Sequence, residues 1–406
     1  MGFGKILEPE IINKYMKKYF NIARNNFASL PWLIVQQARR WFPLDYWWGK
    51  SGYALFPEQA TLIVTKRCNF GCEKCSSNSP QLTRQLTENP NFRKDYKELS
   101  TSEWKGVIDQ LGKFFRPVVY FCGGEPTLRP DLFELIRHVK KRRMIAAMTT
   151  NGSVLNDKKI EELCNYGLDF ISFSIDGPPE YHNYYRRYPK AFEKATQAIE
   201  KIVAYKQKHK LTRPNVKITS IIDPEAVSNS YFILDHAKDL GINEVAFGNL
   251  MFYTPKLQRA QYELKRKVGN VGEFMIGLEV PNDFNFKKPD FAGVENLYRE
   301  AQKKYPSLGI IFNPPHLDAK NFYNATKYPK LSPCRSTYST ATISPTGDLY
   351  HCQEFFVGNI RKKSFRELWN DPKLTAFRVL KKKLQMPACY RCLEGQEICF
   401  NNNKKR

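Results

Sequence analysis

The sequence predicts an α/β fold, a parallel sheet covered by helices, and two observations predict it. From Thr61 to Leu250, short apolar runs alternate with segments of helical period. After Val118–Cys122, Met144–Thr149 and Phe170–Ser174 comes a polar, glycine-bearing turn, then a helix-compatible segment. Alternation at this rhythm is the signature of β–α units. At 406 residues the chain can bury a large core and is long enough for two or three domains.

Residues 1–58 form an arm unlike the rest. Ile11, Ile12, Tyr15, Met16, Tyr19, Phe20 and Ala23 make one helical stripe, with Lys14, Lys17, Asn21 and Arg24 largely opposite. Four of the six tryptophans lie between 32 and 48. A basic face beside Trp, Phe and Leu describes a helix at a membrane interface. It describes equally a segment that packs on the sheet and caps its open edge.

Residues 59–250 carry the alternation. Candidate strands are Thr61–Thr65, Val118–Cys122, Met144–Thr149, Phe170–Ser174, Val216–Ile222 and Glu244–Gly248. Ser100-Thr101-Ser102-Glu103 opens the first helix with a capping-box pattern. Leu132–Lys140, Asp157–Tyr166, Ala191–Tyr205 and Asn229–Leu240 supply the others. In Ala191–Tyr205, Phe192, Ala195, Ile199, Ile202 and Val203 recur at helical spacing. Residues 251–333 connect to the C-terminus, with a helix expected at Val294–Lys304 and a strand at Gly309–Asn313. In residues 334–406, Pro345–Gly347 reads as a hairpin turn between two short strands.

Cys68, Cys72 and Cys75 follow the first strand at C-x3-C-x2-C spacing. Three thiolates this close can hold one face of an iron–sulfur cubane and leave one iron open. Zinc is the alternative, but zinc usually takes two C-x2-C arms and four ligands. The turn Gly123-Gly124-Glu125-Pro126 follows the second strand. Triplet and turn, in this order and at this distance, resemble the radical S-adenosylmethionine (SAM) enzymes. The resemblance covers roughly residues 60–250 and implies a partial (β/α)6 TIM-like barrel. Such sheets place their chemistry at the carboxyl ends of the strands, where every one of these motifs falls.

The resemblance further implies a SAM-binding [4Fe-4S] cluster on Cys68, Cys72 and Cys75. The reduced cluster cleaves SAM to a 5′-deoxyadenosyl radical, which abstracts hydrogen from substrate. Gly123 and Gly124 let the backbone approach the cofactor. Glu125 offers its carboxylate or its backbone to the cofactor ammonium. Asn151 and Ser174 are implied cofactor contacts, with Asp176 beside them. Arg186 or Arg187 could clamp the cofactor carboxylate, and Arg187 is the one assigned to it. Cys122, inside an apolar strand, and Cys164, on a helix face, read as ordinary buried thiols.

Five cysteines follow: Cys334, Cys352, Cys389, Cys392 and Cys399, with Gly347 five residues before Cys352. The set resembles the SPASM or twitch extension, which makes residues 334–406 a small iron–sulfur domain. Cys334, Cys352, Cys389 and Cys392 would close one auxiliary [4Fe-4S] cluster. Zinc would be satisfied by the same four. Cys399 has no assignment, and His351 is a neighbour rather than a ligand.

Ten cysteines at ligand-like spacings point to metal rather than disulfides, and so to a reducing, cytoplasmic setting. No secretory signal is expected. No run reaches the about 18 apolar residues of a membrane span. The net charge of +24 suits an acidic substrate or an anionic surface. Its lysine tracts lack interleaved aromatics, so nucleic acid is not an expected partner. The chain therefore reads as a radical SAM enzyme that needs a reducing electron donor. The arm and charge favour a lipid or other membrane-derived substrate, with peripheral contact at the inner face of the membrane. The alternatives are a peptide or protein, as for SPASM maturases, and a small metabolite such as a carbohydrate or tetrapyrrole. Residues 251–333 are expected to border the substrate pocket.

Overall fold

The computed structural model describes residues 46, 51–73, 75, 97–114, 116–267, 278–281, 285–315, 317–323, 335–352, 355–383, 386, 389, 391 and 392. The arm, apart from Tyr46 and residues 51–58, lies outside them, as do Cys334 and Cys399.

The β–α alternation is present. In chain order come β1 (Gln59–Ile63), α1 (Thr101–Phe114), β2 (Val118–Cys122), α2 (Leu132–Lys141), β3 (Ala146–Thr150), α3 (Asp157–Asn165) and β4 (Phe170–Ser174). Then follow α4 (Pro179–Arg186), α5 (Ala191–Lys208), β5 (Asn215–Ile222), α6 (Ser228–Asp239) and β6 (Glu244–Asn249). The capping box of α1 forms: Ser100 N–H donates to Glu103 at 2.8 Å, and Glu103 N–H donates to Ser100 Oγ at 3.3 Å. On α5, Phe192, Ala195, Ile199 and Ile202 are buried, as their spacing requires. The sequence gives no sign of α4. Its start is set by proline at the first helical position, and its Tyr, His and Asn residues are weak helix formers.

β1 to β6 pair in parallel, each beside the next. Leu62, Phe121, Ile171 and Ile218 point into the core under the helices. Residues paired in register share a face. Thr61 pairs with Tyr120, Thr149 with Ser172, and Ser172 with Lys217. The Tyr120 and Thr149 hydroxyls hydrogen-bond across that face. It is the polar inner face of the partial barrel.

The connector holds β7 (Phe252–Tyr253), α7 (Pro255–Lys267), β8 (Leu278–Glu279), α8 (Phe291–Lys304), β9 (Gly309–Asn313) and α9 (Ala319–Phe322). β9 joins β6 in parallel, so α8 and β9 add a further β–α unit. Asn249, at the end of β6, ties the connector down. Its amide donates to Tyr298 Oη and accepts from Tyr323 Oη, both at 2.6 Å.

The C-terminal segment holds α10 (Ser336–Ser339), β10 (Thr340–Ile343), β11 (Asp348–His351), β12 (Phe355–Asn359), α11 (Phe365–Trp369) and α12 (Pro372–Lys383). The turn Pro345–Gly347 joins β10 to antiparallel β11, as read from the sequence. β10 also lies parallel on the free edge of β1, from Gln59 opposite Thr340 to Leu62 opposite Ile343. One ten-stranded sheet results, ordered β12-β11-β10-β1-β2-β3-β4-β5-β6-β9. β10 to β12 therefore continue the barrel sheet and cover an edge that would leave backbone groups unpaired. Pairing on both sides starts β1 at Gln59, earlier than its apolar run. α11 and α12 hold residues 51–56 in place: Trp369 Nε1 donates to Ala54 O at 3.1 Å, and Arg378 donates to Gly52 O. Gly52 has φ +73°, and a Cβ there would sit 2.1 Å from Thr375 O. Among the described residues no helix is long and apolar enough to cross a membrane.

Candidate active site at the carboxyl ends of the strands

The loops after β1 and β2 are laced together by backbone. Gly124 N–H donates to Thr65 O and Glu125 N–H to Arg67 O, both at 2.8 Å. A Cβ on Gly123 would lie 2.5 Å from Thr65 O, and one on Gly124 2.3 Å from Arg67 O. The two glycines are thus required by the approach of the cysteine loop itself. Glu98 supports that loop from outside, accepting from Thr65 Oγ1 and Lys66 N–H at 2.9 Å each.

Cys68, Cys72 and Cys75 are half-buried on one loop. Phe70 N–H donates to Cys68 Sγ at 3.4 Å, and Cys75 N–H closes a turn on Cys72 O at 3.3 Å. Burial, and then the neighbouring thiols, push the Cys68 thiol up. Among the described residues no three His, Cys, Asp or Glu side chains converge on a single-ion site. A cubane binds its cysteines through separate irons and asks for no such convergence. Three soft sulfur donors on one loop, with no fourth ligand from the same motif, fit that group.

Glu125 is 1% exposed. Its carboxylate accepts from Asn151 N–H and Thr150 Oγ1 at 2.7 Å each, and from both the N–H and hydroxyl of Thr127. It stitches the β2 loop to the end of β3. The Asn151 amide then reaches the cysteine loop. Its Nδ2 donates to Asn69 Oδ1 at 3.1 Å, and its Oδ1 accepts from Ser153 N–H and Oγ. Asn69 was missed from the sequence. Its only signal there is a short polar side chain between two of the cysteines.

Ser174 ends β4 beside Thr219. Asp176, just beyond, accepts from Arg186 Nε and Nη2 at 2.9 and 2.7 Å, and from Ile221 N–H at 3.1 Å. Arg186 Nη1 lies 3.9 Å from Cys72 Sγ. Arg187 follows in the left-handed region, φ +49°, with its side chain beside Gly71. Glu73 N–H donates to Tyr185 O at 2.9 Å, and the Phe70 ring stacks on Tyr188 at 4.4 Å. The end of α4 therefore cradles the cysteine loop.

His182, 1% exposed, accepts the Asp176 N–H on Nδ1 at 3.1 Å. Burial, and then the Arg186 charge, pull its pKa down to about 4 from the ordinary 6.5. A depressed value means stability that is complete above pH 6.5 and lost as pH falls toward 4, about 3 kcal/mol in all. Urea midpoints measured from pH 7 to pH 5 should fall in the native protein. In His182→Gln that dependence should flatten.

Of the remaining thiols, Cys164 is buried on α3, which pushes it up to about 11. Cys122 differs from expectation: it is half-buried, and strand alternation puts it on the inner face with Tyr120.

At the C-terminal group, Cys352 follows β11 at φ +52°. Cys392 N–H closes a turn on Cys389 O at 3.3 Å, the same turn as Cys72–Cys75. Lys381, 5% exposed, places Nζ 2.6 Å from Cys389 Sγ. His351, buried at the end of β11, packs on the Trp369 ring at 5.1 Å.

A parallel partial barrel with a thiol triplet and a glycine turn at its strand ends defines an enzyme that carries a cluster beside a cofactor cleft. Comparison with known proteins agrees. The family described as the radical SAM superfamily matches residues 62–228, and the SPASM iron–sulfur cluster-binding domain matches 334–393. An AdoMet-dependent heme synthase of Oleidesulfovibrio alaskensis is 31% identical over 321 residues, 75% of this chain and 72% of that protein. An Fe-coproporphyrin III synthase of Methanosarcina barkeri is 25% identical over 354 residues, 84% of this chain and 82% of that protein. Among solved structures, Streptococcus suis SuiB bound to precursor peptide SuiA shares the fold at TM-score 0.55 and 13% identity, over 95% of this chain and 89% of that one. The chain belongs to the radical SAM superfamily and has a SPASM domain. It is a radical SAM enzyme whose cofactors are a [4Fe-4S] cluster, SAM and auxiliary iron–sulfur.

Proposed function

We propose that the enzyme acts on a carboxylate-bearing tetrapyrrole. The observation that carries this is the extent of the likeness: two relatives named for heme and Fe-coproporphyrin III synthesis align over three quarters or more of this chain. The net charge of +24 supports it, since carboxylate arms are anionic at neutral pH. The peptide alternative has less behind it: the likeness to SuiB is one of fold, and a PqqA peptide cyclase of Bradyrhizobium diazoefficiens, 34% identical, aligns over 30% of this chain. The arm and the charge are the whole basis of the lipid reading, which neither of these relatives supports.

In this reading Cys68, Cys72 and Cys75 hold the SAM cluster, and Cys334, Cys352, Cys389 and Cys392 the auxiliary one. When bound, the cluster and SAM supply one electron and the 5′-deoxyadenosyl radical. The protein's part is placement. Gly123 and Gly124 leave a backbone edge toward the cofactor amine. The Glu125 carboxylate holds that edge rather than the amine, and its own N–H and C=O bond Arg67 O and Leu128 N–H, so the amine falls to the carbonyls of Gly123 and Gly124. Asn151 and Ser174 line the cleft, and Arg187 takes the cofactor carboxylate. The polar inner face beneath, with Tyr120, Thr149 and Ser172, holds the substrate.

The test is anaerobic turnover of the reconstituted enzyme with dithionite, SAM and Fe-coproporphyrin III, read by mass spectrometry. A new tetrapyrrole mass should rise in step with 5′-deoxyadenosine. Deoxyadenosine release with the tetrapyrrole unchanged would overturn the substrate assignment.

A further inference from the structure

We propose that Arg186 is a positioning residue that sets the reduction potential of the cluster on Cys68, Cys72 and Cys75. This rests on the cluster reading above and goes beyond it. Arg186 is the last residue of α4, and its side chain is 19% exposed. Two of its nitrogens are held by Asp176 at 2.9 and 2.7 Å, which leaves Nη1 directed at Cys72 Sγ, 3.9 Å away. Asp176 is itself fixed by the N–H of Ile221 at the end of β5. The cysteine loop and α4 are pinned to each other separately, through Glu73 N–H to Tyr185 O and through Phe70 on Tyr188. The guanidinium therefore has a fixed place beside one ligand sulfur.

Arginine stays charged at every working pH. At 3.9 Å the contact is long for a directed hydrogen bond, so charge carries most of the effect. Cluster potentials respond to net charge and to hydrogen bonds at the sulfurs. Reduction adds one electron, supplied by the external donor, and a neighbouring cation favours that state. The Asp176 carboxylate offsets part of the cation. The two residues therefore push the potential in opposite directions, whereas residues that only hold the loop together would not.

The experiment is a potentiometric EPR titration of the reconstituted full chain without SAM, with iron and sulfide measured for each protein. The signal that changes when SAM is added afterwards identifies this cluster among the two. Arg186→Gln should lower its midpoint by a factor of about ten in the reduction equilibrium, about 59 mV for one electron. Arg186→Lys should restore part of the difference. Asp176→Asn should move the midpoint the other way. Equal midpoints in all four proteins at full iron content would overturn the inference. So would an Arg186→Gln variant that loses only SAM affinity, which would make Arg186 the carboxylate clamp. If Arg186→Gln does not fold, the opposite shifts of Arg186→Lys and Asp176→Asn decide. A wild-type protein without any SAM-responsive cluster signal would remove the cluster reading itself, and this inference with it.

Discussion

Replacing Cys68, Cys72 and Cys75 together by alanine should lower reconstituted iron from about eight atoms per chain to about four and abolish 5′-deoxyadenosine release. The drop to half follows from the two cubanes proposed above, on separate ligand sets. The fold should survive the change. The three thiols sit half-buried on a loop, and β1 keeps both its neighbours, β2 and β10, without them. Circular dichroism and the urea midpoint should therefore stay near the native values. Cys164→Ser is the contrasting control: it puts a hydroxyl into the core under α3 and should cost about 1–3 kcal/mol of stability, with iron content unchanged. Iron content unchanged in the triple variant would sink the assignment of the triplet.

The fold was legible where physical causes are local. β2 and β4 match their expected spans because a central parallel strand is a largely apolar run, and β9, at the end of the sheet, matches too. The pairing of Gln59 with Thr340 leaves no periodic trace, so nothing in the sequence signals that β10 lies on the edge of β1. α7 leaves a similarly faint trace, since few apolar residues mark its buried side. In the site, cysteines and glycines were legible because spacing and backbone approach are local properties. The choice between Arg186 and Arg187 was not. Adjacent residues on a helix point about 100° apart, and the left-handed turn at Arg187 separates the pair further. Only the tertiary placement of Asp176 shows which of them is committed. For Glu125 the sequence left two roles open, carboxylate or backbone, and the four donors around its oxygens count against the first.

Glu125→Gln should show that choice directly, by losing stability before it loses specificity for SAM. An ionised carboxylate only accepts hydrogen bonds, and every protein group aimed at Glu125 is a donor: Thr127 N–H, Thr127 Oγ1, Thr150 Oγ1 and Asn151 N–H. Three of these donors converge on Oε1, so glutamine can keep its oxygen there and turns its NH2 toward the one on Oε2, Asn151 N–H. At 1% exposure no water is at hand to relieve the clash. An unsatisfied buried donor costs about 1–3 kcal/mol, so a loss of that size is expected. The damage should spread along the hydrogen bonds, from the end of β3 through Asn151 to Asn69 and the cysteine loop. Hydrogen exchange should then quicken at Asn151 and Gly152, and iron retention should fall on gel filtration. If the carboxylate instead bound the cofactor ammonium, Glu125→Gln would keep the native urea midpoint and full iron and raise only the Kd for SAM. A midpoint within about 0.5 kcal/mol of the native protein, the size of an ordinary surface substitution, would return the carboxylate to the cofactor.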